Sequence, residues 1–136
     1  MQLVAYLTFD GRCEEAFQFY ARCLNAKIVA TNRFAGTPAE KHVPADWRNK
    51  IMHMQLEKSG AILMGSDAMP GMTQDHKGFS VAIQLNDPAE AERIFQALAE
   101  TGKVTMPIAK TFWAERFGAL TDQFGVPWMI NCDTGH

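Results

Sequence analysis

The chain has 136 residues, 47% of them hydrophobic and 21% charged. That is the balance of one ordinary globular domain, which needs neither disulfides nor a structural metal to stay folded. Thirteen Lys and Arg against fifteen Asp and Glu give a formal net charge of −2, leaving no basic stripe for nucleic acid and no polybasic patch for a membrane surface.

The chain opens on an extended segment, 3–9. A helix is predicted over about 12–24, where Ala16, Phe17, Tyr20, Cys23 and Leu24 form one apolar stripe. Glu14 and Glu15 lie in its first turn, where the positive end of the helix dipole favours them, and Asn25 is a plausible stop. Extended segments follow at 27–34, 50–57 and 61–66. Between the first two lies a long loop, 35–49, carrying Gly36, Pro38 and Pro44; loops of that length are commonly functional or mobile. The run Ala61-Ile62-Leu63-Met64 reads as a strand covered on both sides.

The second half repeats the order. A strand over 79–86 leads to a helix over about 88–101, with Asp87 as N-cap, Pro88 in the first position and Glu90 three residues after the cap. Ala91, Ile94, Phe95 and Leu98 make its stripe, and Gly102 is expected to end it. Extended segments follow at 103–107, about 114–121 and 126–132. Ala16, Phe19, Tyr20 and Cys23 fall on Ala91, Ile94, Phe95 and Leu98 at a constant spacing of 75 residues (91 − 16). Both halves therefore read strand, helix and three strands, an internal duplication. The halves are about 1–67 and 78–136, joined by a linker over about 68–77.

Strand parity separates the faces. Phe79, Val81, Ile83 and Leu85 share one face, expected to pack on the helix; Ser80, Ala82, Gln84 and Asn86 share the other. That second face is small and polar, which suits a ligand-bearing concavity. Trp128 shares parity with Val126, Ile130 and Cys132, opposite Met129, and is expected under the helix. Asp122 before Phe124-Gly125 reads as a carboxylate bonding turn amides. Gly118 and Gly125 read as a close approach and a turn.

Cys13, Cys23 and Cys132 form no CxxC pair and are expected to be reduced thiols of a cytoplasmic protein. Residues 1–6 lack the features of a signal peptide, and no apolar run approaches the roughly 18–20 residues of a membrane helix. GxSxG, GxGxxG and GxxxxGK[ST] are absent, which sets aside the corresponding hydrolase, dinucleotide and P-loop sites. Cys13 stands at a helix start, where a dipole could lower its pKa, but no His or basic partner adjoins it in sequence.

The element order, together with Tyr6-Leu7-x-Phe9-x-Gly11, Lys50-Ile51-Met52-His53, Leu63-Met64-Gly65-Ser66-Asp67, Gly78-Phe79-Ser80-Val81 and Trp113-x-x-x-Phe117-Gly118-x-x-x-Asp122-x-Phe124-Gly125-x-x-Trp128, resembles the vicinal oxygen chelate superfamily. That group holds glyoxalase I, bleomycin-resistance proteins, fosfomycin-resistance enzymes and extradiol dioxygenases. The motifs are most similar to its PhnB-like branch, often labelled 3-demethylubiquinone-9 3-methyltransferase-like. The resemblance implies an α+β fold, a single glyoxalase-like domain of two βαβββ modules, each a cupped mixed sheet with a helix on its outer face. It also implies a homodimer and a concave cavity, usually with a divalent metal held from the first and fourth strands of each module. The methyltransferase label gains no support from the residues, because no glycine-rich turn follows the first strand.

Carrying the metal positions across gives Ala5, Met64, Ser80 and Met129. Divalent cations want imidazole nitrogen or carboxylate oxygen. Alanine offers nothing, a serine hydroxyl is weak and thioethers suit soft Cu(I), so no metal or other cofactor is expected. Of the four histidines, His42 and His76 fall in loops and His136 ends the chain. His53 shares a strand face with Ile51 and Gln55; it is a candidate acid/base or a structural hydrogen-bonding group. The binding candidates are Met64, Ser80, Gln84, Trp113, Arg116 and Met129. Trp and Arg would stack on and grip planar or anionic ligands, and methionine adapts to apolar ones.

The expected function is therefore binding of a small organic molecule in a cupped-sheet cavity, without an obligatory metal, by a cytoplasmic homodimer with no nucleic-acid or membrane partner. Two alternatives stay open. One is a metal-dependent lyase, isomerase or dioxygenase with a displaced ligand set drawn from His53, Asp122 or Glu115. The other is a protein that sequesters a drug or toxin. The loops 35–49 and 67–77 are expected to shape access.

Overall fold

The computed structural model describes residues 1–133. The chain divides into two compact units that meet at Gln74 and Asp75.

In the first unit, β1 (Ala5–Phe9) is followed by α1 (Cys13–Leu24), β2 (Lys27–Arg33), β3 (Ile51–Lys58) and β4 (Ala61–Asp67). The sheet order is β1-β4-β3-β2; β1 runs parallel to β4, and the other neighbours are antiparallel. Cys13, Ala16, Phe17, Phe19, Tyr20 and Cys23 form the buried stripe of α1, over Leu7, Phe9, Met54, Leu56 and Leu63 of the sheet. Full burial of a side chain such as Phe17 contributes on the order of 1.5–3 kcal/mol. Gly65 permits this packing: a Cβ there would stand 2.8 Å from the Phe17 ring and 2.9 Å from the Leu7 carbonyl oxygen. Asn25 takes the left-handed conformation (φ 51°) that ends α1, and the Ala26 N–H bonds the Ala21 carbonyl at 3.0 Å.

Arg12, at the N-cap of α1, makes no side-chain cap. The carboxylate of Asp67, 54 residues away, serves instead: Oδ1 accepts the Cys13 N–H at 2.9 Å and Oδ2 accepts the Ile51 N–H at 2.9 Å. One buried side chain thus ties the start of α1 and the start of β3 to the end of β4. The loop between β2 and β3 is built of two short 3-10 turns, Pro38–His42 and Ala45–Trp47. It is fastened to its own unit by Trp47 Nε1 donating to the Ala68 carbonyl (3.0 Å) and, beside it, by Lys50 Nζ donating to the Gly11 carbonyl (3.0 Å).

The second unit repeats the plan. β5 (Val81–Leu85) is followed by α2 (Pro88–Ala99), β6 (Lys103–Ala109), β7 (Arg116–Thr121) and β8 (Pro127–Cys132), in sheet order β5-β8-β7-β6 with β5 parallel to β8. Asp87 caps α2 by accepting the Ala89 N–H at 3.1 Å. Ala91, Ile94, Phe95 and Leu98 are its buried stripe, facing Leu120, Trp128 and Ile130. Asp122 is buried in the β7–β8 turn; Oδ1 accepts from the N–H groups of Phe124 (2.8 Å) and Val126 (3.0 Å), and Oδ2 from Trp128 Nε1 (2.8 Å). Both units are thus four-stranded mixed sheets with one helix each.

Several expectations are corrected. α2 ends at Ala99, and the positive φ (55°) falls on Thr101 rather than Gly102. Gly102 is needed for closeness instead: a Cβ there would lie 2.5 Å from the Thr121 carbonyl oxygen. β4 is buried only on the face bearing Leu63, Gly65 and Asp67, because α1 covers that side alone. β6 runs on through Pro107 to Ala109, tolerated because an edge strand leaves some N–H groups unpaired. β5 begins at Val81, so Phe79 and Ser80 precede the strand.

Candidate functional site

Each sheet has a helix on one face; the opposite face carries the polar and aromatic side chains. In the first unit, register places Tyr6 beside Met64, Met64 beside Gln55 and Gln55 beside Ala30, one row across four strands. The next row holds Thr8 beside Ser66 on β1 and β4 and His53 beside Asn32 on β3 and β2. Tyr6 and His53 meet across β4. Tyr6 Oη lies 3.2 Å from His53 Nδ1, and the rings are stacked with centroids 5.8 Å apart and planes at 29°.

This row corrects the alignment of the first metal position. Ala5 pairs with Leu63 and shares the helix-facing parity of Leu7 and Phe9, so the open-face neighbour of Met64 is Tyr6. In the second unit the β5 neighbour of Met129 is Ala82, with Ser80 one step further along the same face. Phenol, thioether, methyl and hydroxyl groups do not fit a divalent cation. Among the described residues, no group of three or more His, Cys, Asp or Glu side chains is placed to hold a metal. The displaced set fares no better. The oxygens of Asp122 are occupied by turn donors, and Glu115 faces Lys110 (3.8 Å) and Arg116 (3.6 Å). His136 lies outside the described residues.

On the open face of the second unit, Gln84 lies beside Asn131, and Asn131 beside Phe117. Asn131 Nδ2 donates to Gln84 Oε1 at 2.8 Å. Trp113, in the turn before β7, is half exposed and meets Phe117 edge-on at 5.4 Å. Its turn is held by Thr111 Oγ1, which accepts the N–H of Ala114 at 3.1 Å. Met129 is partly exposed on the same face. Arg116 is not with them. It shares parity with Gly118 and Leu120, on the side of α2, where Nε pairs with Glu92 (3.2 Å) and Nη1 donates to the Glu115 carbonyl (2.7 Å). Its place in a ligand pocket is corrected accordingly: α2 supplies the carboxylate that holds it.

The structure therefore places Gln84 and Met129 on one face, with Trp113 against Phe117 of that face, and His53 with Met64 on another. Tyr6 and Asn131 were missed, although their signal was available: Tyr6 alternates with buried Leu7, and Asn131 has the parity of Met129. Cys13, Cys23 and Cys132 are all buried. Burial above all, then the negative charges of Asp67 and Glu14, pushes the Cys13 thiol up, the reverse of what a helix start alone would do. Cys132 is also raised, first by burial and then by Asp87 and Glu115.

The profile of the family described as 3-demethylubiquinone-9 3-methyltransferase matches residues 1–131. This chain belongs to that PhnB-like family. It is 36% identical over 139 aligned positions to the protein YjdN of Escherichia coli, covering 96% of this chain and 95% of YjdN. It is 46% identical to protein PA1353 of Pseudomonas aeruginosa, whose crystal structure superposes with a TM-score of 0.88 over 98% of both chains. A PhnB protein from Bacillus cereus shares 22% identity with a TM-score of 0.79, over 97% of this chain and 99% of that one. The fold is shared with a glyoxylase/bleomycin resistance protein/dioxygenase domain from Frankia (12% identity, TM-score 0.69, 98% and 97% covered).

Proposed function

We propose that this PhnB-like protein binds a small planar organic molecule on the open faces of its sheets, without an obligatory divalent metal, and that it acts as a homodimer. The observation that carries this reading is the half-exposed Trp113, set edge-on to Phe117, whose register neighbour Asn131 is bonded to Gln84 on the face that also bears Met129. A large aromatic ring left half in water at the border of a sheet face that carries paired amides supplies both a stacking surface and groups that orient a ligand. The donors at the superfamily's metal positions supply neither imidazole nor carboxylate, which supports metal-free binding. The turn after β1 offers no cradle for a methyl-donor cofactor. It has a single glycine, Gly11, and a Cβ there would already stand 3.1 Å from the Trp47 ring. Dimerisation is supported by the edge strands of each sheet, β1 and β2, β5 and β6, which need cover. The formal charge of −2 supports neither nucleic acid nor an anionic membrane as a partner.

The test is quenching of Trp113 fluorescence by a panel of planar aromatic compounds, with Trp113→Phe as the control for the other two tryptophans. Saturable quenching that disappears in Trp113→Phe is expected; none across the panel would end the proposal. Calorimetry against Zn²⁺, Ni²⁺, Mn²⁺ and Fe²⁺ addresses the metal, and a stoichiometric submicromolar site would overturn the metal-free reading. Sedimentation at micromolar protein addresses the dimer, and a stable monomer would overturn it.

A further inference from the structure

The contact between Tyr6 and His53 has a direction. A phenol is the better donor and an imidazole nitrogen the better acceptor, so the Tyr6 hydroxyl donates to Nδ1. A neutral imidazole whose Nδ1 accepts must carry its proton on Nε2. Among the described residues, His53 Nε2 has no hydrogen-bond partner and is not sealed from water, the ring being only partly buried; it therefore reaches solvent as an N–H. Its surroundings on the open face are the hydroxyls of Thr8 and Ser66 and the amides of Asn32 and Gln55. Arg33, near the same edge, is committed to Glu14 at 2.7 Å. The patch is neutral and rich in donors, with the Tyr6 ring half exposed beside it.

We infer that Tyr6 is a positioning residue that holds His53 with Nε2–H outward, making the open face of the first unit a site for the carbonyl or carboxylate oxygen of a planar ligand. The inference rests on the ligand-binding reading above and names the chemistry of one face. The ligand oxygen accepts from His53 Nε2, and its planar body lies against the Tyr6 ring. Tyr6 need not touch the ligand oxygen.

The test uses the full chain labelled with ¹⁵N at histidine, at alkaline pH where a free imidazole is neutral. In the wild type, His53 should carry its proton on Nε2, with Nδ1 showing the shift of a hydrogen-bonded acceptor. Tyr6→Phe, a small change at a half-exposed side chain, should remove that Nδ1 shift. Benzoate and benzamide are then titrated; a response to both indicates a carbonyl oxygen, and to benzoate alone a carboxylate. Affinity should survive in His53→Gln, whose amide replaces the Nε2 donor, and fall about tenfold in His53→Ala and about threefold to tenfold in Tyr6→Phe. An Nδ1 signal unchanged by Tyr6→Phe overturns the inference. So does a His53 ring that neither probe perturbs. If the probes quench Trp113 while His53 stays silent, this inference fails and the broader binding proposal stands; silence at both residues sinks both.

Discussion

Replacing Asp67 with Asn separates the carboxylate's two tasks while leaving its volume unchanged. Asp67 is 3% exposed, and its two oxygens each accept one backbone N–H at 2.9 Å. The amide of Asn can accept only one of them; its NH2 group must then face the other N–H. One charge-assisted hydrogen bond is lost, costing about 1.5–3 kcal/mol, and the survivor weakens from ionic to neutral, costing about 0.5–1 kcal/mol more. The expected loss is therefore about 2–4 kcal/mol, a large share of the 5–15 kcal/mol typical of a domain. Urea unfolding followed by tryptophan fluorescence in a Trp113→Phe background measures it. Trp47 bonds the carbonyl of Ala68, the residue after Asp67, and so reports on the same unit. A loss below about 0.5 kcal/mol would mean that water or a shifted backbone replaces the missing acceptor, and the account of how α1 and β3 are anchored would be wrong. Because Ile51 begins the strand that carries His53, the same variant should also disturb the His53 ring signals.

Gly65→Ala would place a Cβ 2.8 Å from the Phe17 ring and 2.9 Å from a backbone oxygen; overpacking of this kind costs about 1–3 kcal/mol, read as a lower urea midpoint with an unchanged slope. The hydrogen bond from Arg33 holds the Glu14 carboxyl below its ordinary range. A carboxyl depressed in the folded state stabilises above its unfolded pKa and loses that contribution as pH falls through the folded one. Arg33→Gln should therefore reduce stability at neutral pH by under about 1 kcal/mol, the pair being solvent-exposed, with the difference from wild type vanishing in acid; a difference that grows in acid would reverse the assignment. All three thiols are buried, so Ellman's reagent should titrate none of them in the native protein and all three in denaturant. Rapid native reaction of one thiol would show that its unit opens locally.

The alternation of elements was legible because it rests on local periodicity. The positions Ala16–Phe19–Tyr20–Cys23 and Ala91–Ile94–Phe95–Leu98 lie on two helices, and their constant offset reveals the duplication before any pairing is known. Asp87 and Pro88 placed the start of α2 for the same local reason, and the turn role of Asp122 followed from the residues after it. The anchoring of α1 by Asp67 was not legible, since a cap 54 residues away leaves no local pattern.

The site shows the same division. Parity along β5 and β8 put Gln84 and Met129 on one face, and the side chains available at the superfamily's metal positions could be judged as donors from residue type alone. Which first-strand residue stands beside Met64 was a question of register between β1 and β4, and a shift of one residue exchanges Ala5 for Tyr6. Likewise Arg116 could have faced either way until α2 brought Glu92 to 3.2 Å. Composition and periodicity along the chain name the elements and their faces, because each depends on neighbours a few residues away. The meeting of Tyr6 with His53, and of Gln84 with Asn131, brings together residues 47 positions apart in sequence, and no local signal carries that distance.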